Sequence, residues 1–128
     1  MGDTLKILVV DDDKDIVEIL QYNLKNSGYS VKSANNGIEA IKKAKKFLPD
    51  VILMDVMMPE MSGIEACSEI RKIDALNTTL IIFLSARTED FTQISAYDAG
   101  ADDYISKPIK PKILLKKISN ISKKINSK

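Results

Sequence analysis

The sequence predicts an α/β fold, a parallel sheet covered by helices, on three observations. Short apolar or alternating runs of strand length recur five times, each run is followed by a segment of helical period, and three of the runs are apolar throughout, as strands buried on both faces are. Those three, Ile7 to Val10, Val51 to Met54 and Leu80 to Leu84, read as the central strands. Tyr29, Val31 and Ser33 alternate with Ser30 and Lys32, and Tyr104-Ile105-Ser106 is short, so these two read as edges.

The helices follow from spacing and from their end signals. Ile16, Ile19, Leu20 and Leu24 recur at helical period after Asp13, a short acid of the kind that caps helices, and Gly28 stands where a left-handed residue ends one. Ile38, Ile41, Ala44 and Leu48 mark a second helix, stopped by Pro49; Ile64, Ala66, Cys67, Ile70 and Ile73 mark a third. Thr88 is placed to cap a fourth, with Glu89 and Asp90 in its first turn, where the helix dipole favours acids. Pro111 opens a fifth, whose face is Leu114, Ile118, Ile121 and Ile125. The five methionines read as core filler, and Cys67 as a small buried hydrophobe.

With 128 residues and 14.2 kDa, the chain is expected to form a single domain over residues 1–128, with a core from about 5 to 125. At 45% hydrophobic and 29% charged residues it has the composition of a globular rather than a disordered protein. The longest apolar runs fall far short of the ~20 residues that a membrane helix needs. No apolar signal region follows Met1, and Cys67 is the only cysteine, so the cytoplasm is the expected location. The net charge of +1 argues against a nucleic-acid surface spread over the whole domain. Residues 1–103 hold 11 basic and 18 acidic side chains, net −7, whereas residues 104–128 hold 8 lysines and no acid. That basic tail suits a solvated helix face, and also an acidic partner or nucleic acid.

In an open α/β sheet, ligands sit beyond the carboxyl ends of the strands. Asp11, Asp12 and Asp13 follow the first run, Asp55 closes the third, Ser85 closes the fourth, and Lys107-Pro108 follows the fifth, so all share one rim. Carboxylates gathered this way raise one another's pKa and call for a cation. Hard oxygen donors without histidine select Mg²⁺ or Ca²⁺ over zinc, and a site with few protein ligands suits Mg²⁺, which commonly shares a phosphate. Lys107 would supply a point charge for that phosphate and Ser85 a hydroxyl donor. Asp55 stands alone at the end of a central strand, and an aspartate there can act as a nucleophile that accepts a phosphoryl group. Taken alone, the acidic run at 11–13 fits either a ligand site or a solvated loop, and Asp13 fits a helix cap better than a ligand.

Four segments, Ile7-Leu-Val-Val-Asp-Asp-Asp13, Val51-Ile-Leu-Met-Asp-Val-Met-Met-Pro59 with Met61-Ser-Gly63, Phe83-Leu-Ser-Ala86 and Tyr104-Ile-Ser-Lys-Pro108, resemble the receiver domain of bacterial two-component response regulators. The resemblance covers about residues 5–125. It implies a doubly wound, flavodoxin-like (βα)₅ sandwich with five parallel strands in the order 2-1-3-4-5. It implies that Asp55 is the residue phosphorylated by a sensor histidine kinase, that Asp11 and Asp12 hold Mg²⁺ with Asp55, and that Met57 lends the metal a backbone carbonyl. Ser85 becomes the hydroxyl that follows the phosphoryl group, Tyr104 the switch aromatic, and Lys107 the phosphate-binding lysine, aimed inward by a cis Lys107-Pro108 bond. Met57 and Arg87 take positions that flank the path of hydrolytic water in that family; both are long and neither is a base, so slow loss of phosphate is implied.

The run from Ala99 to Pro108, with Ala86-Arg-Thr-Glu-Asp90, resembles the subfamily whose receivers precede a winged-helix DNA-binding domain. That subfamily dimerises on phosphorylation through the fourth helix, fifth strand and fifth helix, with Asp102 and Asp103 facing Lys116 and Lys117 across the interface. Gln93 and Ile113 depart from its usual basic and acidic pair. Two arrangements fit, a receiver of a longer transcription factor, whose C-terminal effector domain rather than this one would contact DNA, and a stand-alone regulator. The implied role is a phosphorylation switch that controls transcription in the first case, not a conventional enzyme. Two other classes fit parts of the pattern. One is an aspartate-dependent phosphatase, for which the chain leaves little room for a substrate cap; the other is a receiver-like module that is never phosphorylated, against which the intact acceptor, acidic pair, hydroxyl and lysine argue. Neither the G-x-x-x-x-G-K-[ST] nor the G-x-G-x-x-G phosphate-binding pattern occurs.

Overall fold

The computed structural model describes residues 4–58, 60–85 and 98–126. Its elements run β1 (Lys6–Val10), α1 (Lys14–Asn26), β2 (Ser30–Ala34), α2 (Gly37–Phe47), β3 (Val51–Asp55), α3 (Gly63–Arg71), a single 3₁₀ turn (Asp74–Leu76), β4 (Leu80–Ser85), β5 (Asp103–Ser106) and α4 (Pro111–Asn126). The last is the fifth helix of the sequence reading and is called the C-terminal helix below. The helix expected after Thr88 lies outside the described residues, as do Arg87 and Gln93.

All strands pair in parallel, in the order β2-β1-β3-β4-β5, as the resemblance implies. Period-two geometry explains the three apolar runs. Leu8, Val10, Ile52, Met54, Ile81 and Phe83 face one core with Ala40, Ala44, Ala66, Cys67, Ile70 and Leu76. Their alternates Ile7, Val9, Val51, Leu53, Ile82 and Leu84 face a second core with Leu20 and Leu24 of α1 and Leu114 and Ile118 of the C-terminal helix. Each central strand is therefore buried on both sides, and every position must be apolar. No helix among the described residues is long and apolar enough to cross a membrane.

Several helix positions differ from the period reading. On α2 the residues that meet the sheet are the small Ala40 and Ala44, while Ile38 and Leu48 are exposed. Small side chains let the helix axis approach the strands closely, and the larger ones are left at the flanks. Leu48 ends α2 in a left-handed conformation, φ 51°, directly before Pro49. On α1, Ile19 is 55% exposed although it shares the period of Leu20.

Arg71, at the end of α3, ties three segments together. Its guanidinium donates to the carbonyls of Thr79 (2.7 Å) and Leu76 (3.3 Å) before β4, to the Gly100 carbonyl (2.8 Å), and to Asp102 Oδ2 (2.7 Å) before β5. The same Asp102 oxygen accepts the Ile81 N–H at 2.9 Å, and Asp102 N–H returns to the Ile81 carbonyl at 2.8 Å. Asp102 thus starts the β4–β5 ladder from within the chain. Gly100 has φ 104°, and a Cβ there would come within 2.8 Å of the Arg71 stem. Replacing Arg71 by Met keeps the stem and removes five donors, which leaves an acid and three carbonyls short of a partner. Urea unfolding is expected to show a loss of about 2–4 kcal/mol, whereas Lys72→Met, whose pair with Glu69 is exposed, leaves stability unchanged.

Candidate functional site

The strand order places a topological switch between β1 and β3, whose connections run to opposite faces of the sheet. In register, Val10 pairs with Met54, so Asp11 and Asp55 emerge side by side at that point. Asp55 is the last residue of β3, and its backbone is fixed by the start of α3. Gly63 N–H bonds the Val56 carbonyl at 2.9 Å, and a Cβ on Gly63 would lie 2.1 Å from the Asp55 carbonyl oxygen. Only glycine permits that approach. Ser62 and Glu65 close a reciprocal capping box that holds α3 in this position.

Asp11 is 1% exposed and Asp55 is 7% exposed, while Asp12 faces solvent. One carboxylate oxygen from each of Asp11, Asp12 and Asp55 lies within 4.8 Å of the others. Asp13 stands apart from this group: its Oδ1 accepts the N–H groups of Asp15 (2.9 Å) and Ile16 (3.4 Å) and caps α1. From the end of β5, the Lys107 ammonium reaches Asp11 Oδ2 at 3.0 Å and Asp55 Oδ1 at 3.4 Å. Its backbone N–H donates to the Ser85 carbonyl, and the Lys107-Pro108 bond is cis. Asp11 Oδ1 accepts the Asp13 N–H at 2.9 Å, and Asp55 Oδ1 accepts the Met57 N–H at 3.4 Å.

Burial, and then the neighbouring Asp11 charge, push the Asp55 carboxyl up to about 6, against the opposing pull of Lys107. Burial acts to lower the Lys107 pKa, but the hydrogen bond to Asp11 and the charges of Asp55 and Asp11 outweigh it, and the net direction is upward. Three hard oxygens with a single ammonium between them, two of them buried, fit a small divalent cation with open coordination positions.

The residues expected at the rim are brought together at that end of the sheet: Asp11, Asp12, Asp55, Ser85 and Lys107. Ser85 is buried and pairs in register with Ser106. Tyr104 is half-buried against the α3-side core, and its Oη accepts from Ser106 Oγ at 3.3 Å. One expectation needs correction: Met57 is not core filler but 78% exposed, because β3 has ended and the chain has turned into the rim loop. Asp102 and Asp103, expected at a dimer interface, are paired within the single chain, Asp102 with Arg71 and Asp103 with Lys117. Sequence reasoning also passed over the role of Gly63, for which the Met61-Ser62-Gly63 segment was the available signal, and over Arg71, which carried none.

A family model described as the response regulator receiver domain matches residues 7–119. The chain is 47% identical over 107 residues to the alkaline phosphatase synthesis transcriptional regulatory protein PhoP of Bacillus subtilis (strain 168), covering 84% of this chain and 44% of that protein. It is 40% identical over 114 residues to the response regulator MprA of Mycobacterium leprae (strain TN), covering 89% and 49%. The chain thus spans about half the length of the curated relatives it matches. Among solved structures, the chemotaxis protein CheY4 of Vibrio cholerae superposes with a TM-score of 0.89 at 34% identity, over 92% of this chain and 98% of that one. A beryllofluoride-activated DrrB receiver domain gives 0.81 at 34% identity, over 92% and 97%.

The raised Asp55 pKa has a stability consequence. Between its ordinary value of 3.8 and about 6 the folded chain binds a proton that the unfolded chain has released, so stability falls as pH rises through that window. Above it, the ionised carboxylate costs on the order of 1–3 kcal/mol in metal-free buffer. Asp55→Asn is therefore expected to be more stable than the parent at pH 7 in the presence of a chelator, with the two curves converging below pH 4, as measured by urea unfolding across the range.

Proposed function

The chain belongs to the response regulator receiver domain family and acts in phosphorylation-dependent signalling, and on that premise we propose that Asp55 accepts the phosphoryl group from a sensor histidine kinase. The observation that carries this reading is the Lys107 ammonium set between the buried Asp11 and Asp55 carboxylates at the mouth of the sheet. An Asp55 oxygen attacks phosphorus in line, the phosphorus–nitrogen bond of the phosphohistidine breaks, and neutral imidazole leaves after taking up a proton. Lys107 moves from the ground-state carboxylates to the transferred oxygens and offsets their charge. The Ser85 hydroxyl donates to one of them, and Tyr104 follows its movement into the space vacated toward the core. Asp11, Asp12 and Asp55, with the Met57 carbonyl, would hold Mg²⁺. Bound there, the ion supplies charge neutralisation and orientation of the phosphoryl oxygens.

A groove of about 240 Å³ adjoins this mouth, lined by Ile16, Ile19, Pro108, Ile109 and Leu114, with Lys107 at its edge. It is mostly apolar and shares Lys107 with the acceptor site, which suits a helix of the kinase that presents the phosphohistidine. The expected setting is cytoplasmic, within one domain spanning residues 1–128. A transcriptional output is supported by the likeness to PhoP of Bacillus subtilis, whose name describes a transcriptional regulatory protein. DNA contact would belong to a winged-helix effector domain of the whole protein, not to this domain. Met57 and Arg87, neither of which can act as a base, leave the phosphoryl group to decay slowly.

Incubation with Mg²⁺ and acetyl phosphate, followed by intact mass measurement, is expected to add one phosphoryl group to the parent. Asp55→Ala takes none, and Asp12→Ala takes little at the same metal concentration; a phosphorylated Asp55→Ala chain would overturn the assignment of the acceptor. Dimerisation is proposed through the strand β5 and C-terminal helix face, together with the helix expected after Thr88. Ile113 is exposed there beside Lys116. Because Asp103 is already paired with Lys117 within the chain, any pairing across an interface competes with an existing one, and the dimer is weak. Sedimentation is expected to show a monomer–dimer equilibrium that beryllofluoride shifts toward dimer, and an unchanged mass distribution counts against it.

A further inference from the structure

Four methionines fall among the described residues, and three of them are packed. Met54 is fully buried, and Met58 and Met61 lie partly buried against the α3-side core. Met57 alone is 78% exposed, yet its backbone N–H contacts Asp55 Oδ1 at 3.4 Å. The most accessible thioether of the described chain is therefore rooted on the residue that touches the acceptor carboxylate.

A thioether is a weak hydrogen-bond acceptor and leaves nearby water without direction. A sulfoxide is polar and accepts strongly, and the change is reversible by reductases. We propose that Met57 is an oxidation site, at which a hydroperoxide converts the thioether to the sulfoxide and shortens the life of the phosphoryl group on Asp55. This rests on the reading of Asp55 as the acceptor and says how that signal is regulated.

The step balances with hydrogen peroxide as the oxidant. A sulfur lone pair takes one peroxide oxygen as the O–O bond breaks, and the proton on that oxygen passes to the departing hydroxide, which leaves as water. Sulfur is oxidised by two electrons and the peroxide is reduced by two. The new sulfoxide oxygen then accepts a hydrogen bond from a water at the rim and holds it near phosphorus, where the thioether held none. The packed sulfurs of Met54, Met58 and Met61 react later, because oxidation follows exposure.

The test uses the whole 128-residue chain. Hydrogen peroxide is added until intact mass shows one oxygen, peptide mass spectrometry locates it, and the oxidised and untreated chains are phosphorylated with acetyl phosphate and Mg²⁺. Loss of the phosphoryl mass is then followed after the donor is removed. Oxygen is expected on Met57, with decay faster by about threefold or more. Methionine sulfoxide reductase with a thiol should restore the slow rate. Met57→Leu should abolish the peroxide effect, and Met57→Gln, which places a carbonyl acceptor at similar reach, should give fast decay without oxidant. First oxidation at Met58 or Met61, or an unchanged or slower decay with Met57 oxidised, overturns the proposal while leaving the acceptor reading intact. An untreated chain that takes no phosphoryl group overturns both.

Discussion

A single ammonium between two buried carboxylates is the constraint on which this molecule's chemistry is built. Burying Asp11 and Asp55 together without a cation would cost several kcal/mol for each ion, and Lys107 is the residue that reaches both. It does so from the far edge of the chain order, 96 residues after Asp11. The sheet order closes that separation to 3.0 Å, because β3 and β4 carry their ends to the same rim and the Lys107 backbone is bonded to the Ser85 carbonyl. The apolar cores on both faces are thus what position a polar cluster that would not assemble on its own.

Much of this was legible because it follows from elementary periodicities. A strand buried on two faces has to be apolar at every position, so Ile7 to Val10, Val51 to Met54 and Leu80 to Leu84 could be read directly, and with them the rim where Asp11, Asp55 and Ser85 lie. What was not legible depends on how closely elements approach. Burial on α2 follows Ala40 and Ala44 rather than Ile38 and Leu48, since hydrophobic size and proximity to the sheet are different quantities. The need for glycine at position 63 comes from the Asp55 carbonyl lying 2.1 Å from where a Cβ would be, a fact of three-dimensional packing. The Arg71–Asp102 pair could not be read because the two residues lie 31 apart in sequence, and no local pattern joins them.

The placement of parts divides along rigidity. Asp55 sits on a strand and is backed by α3 through Gly63 and the Ser62–Glu65 capping box, so the proposed acceptor is fixed by packing. Lys107, Met57 and Asp12 follow strand ends, where the backbone is freer to adjust. Arg71 and Asp102 anchor the opposite end of β5 to α3 and β4. Tyr104 and Ile105 of that short strand face opposite sides, Tyr104 the α3-side core and Ile105 the core shared with the C-terminal helix.

One ammonium does not neutralise three carboxylates, and the imbalance bears on the proposed chemistry. The same burial that destabilises the ionised Asp55 also makes it a stronger base than an ordinary aspartate, with its pKa pushed to about 6. Nucleophilic strength rises with basicity, but only the ionised fraction reacts. In the metal-free chain a pKa of about 6 leaves roughly nine-tenths of the carboxylate ionised at pH 7. A carboxylate left fully solvated would be ionised but weakly basic. One buried without Lys107 would be basic but protonated. The 3.4 Å contact between Lys107 and Asp55 draws the carboxyl back from the second limit, and on the proposed reading a phosphoryl group arriving at Asp55 would meet a cation already in place.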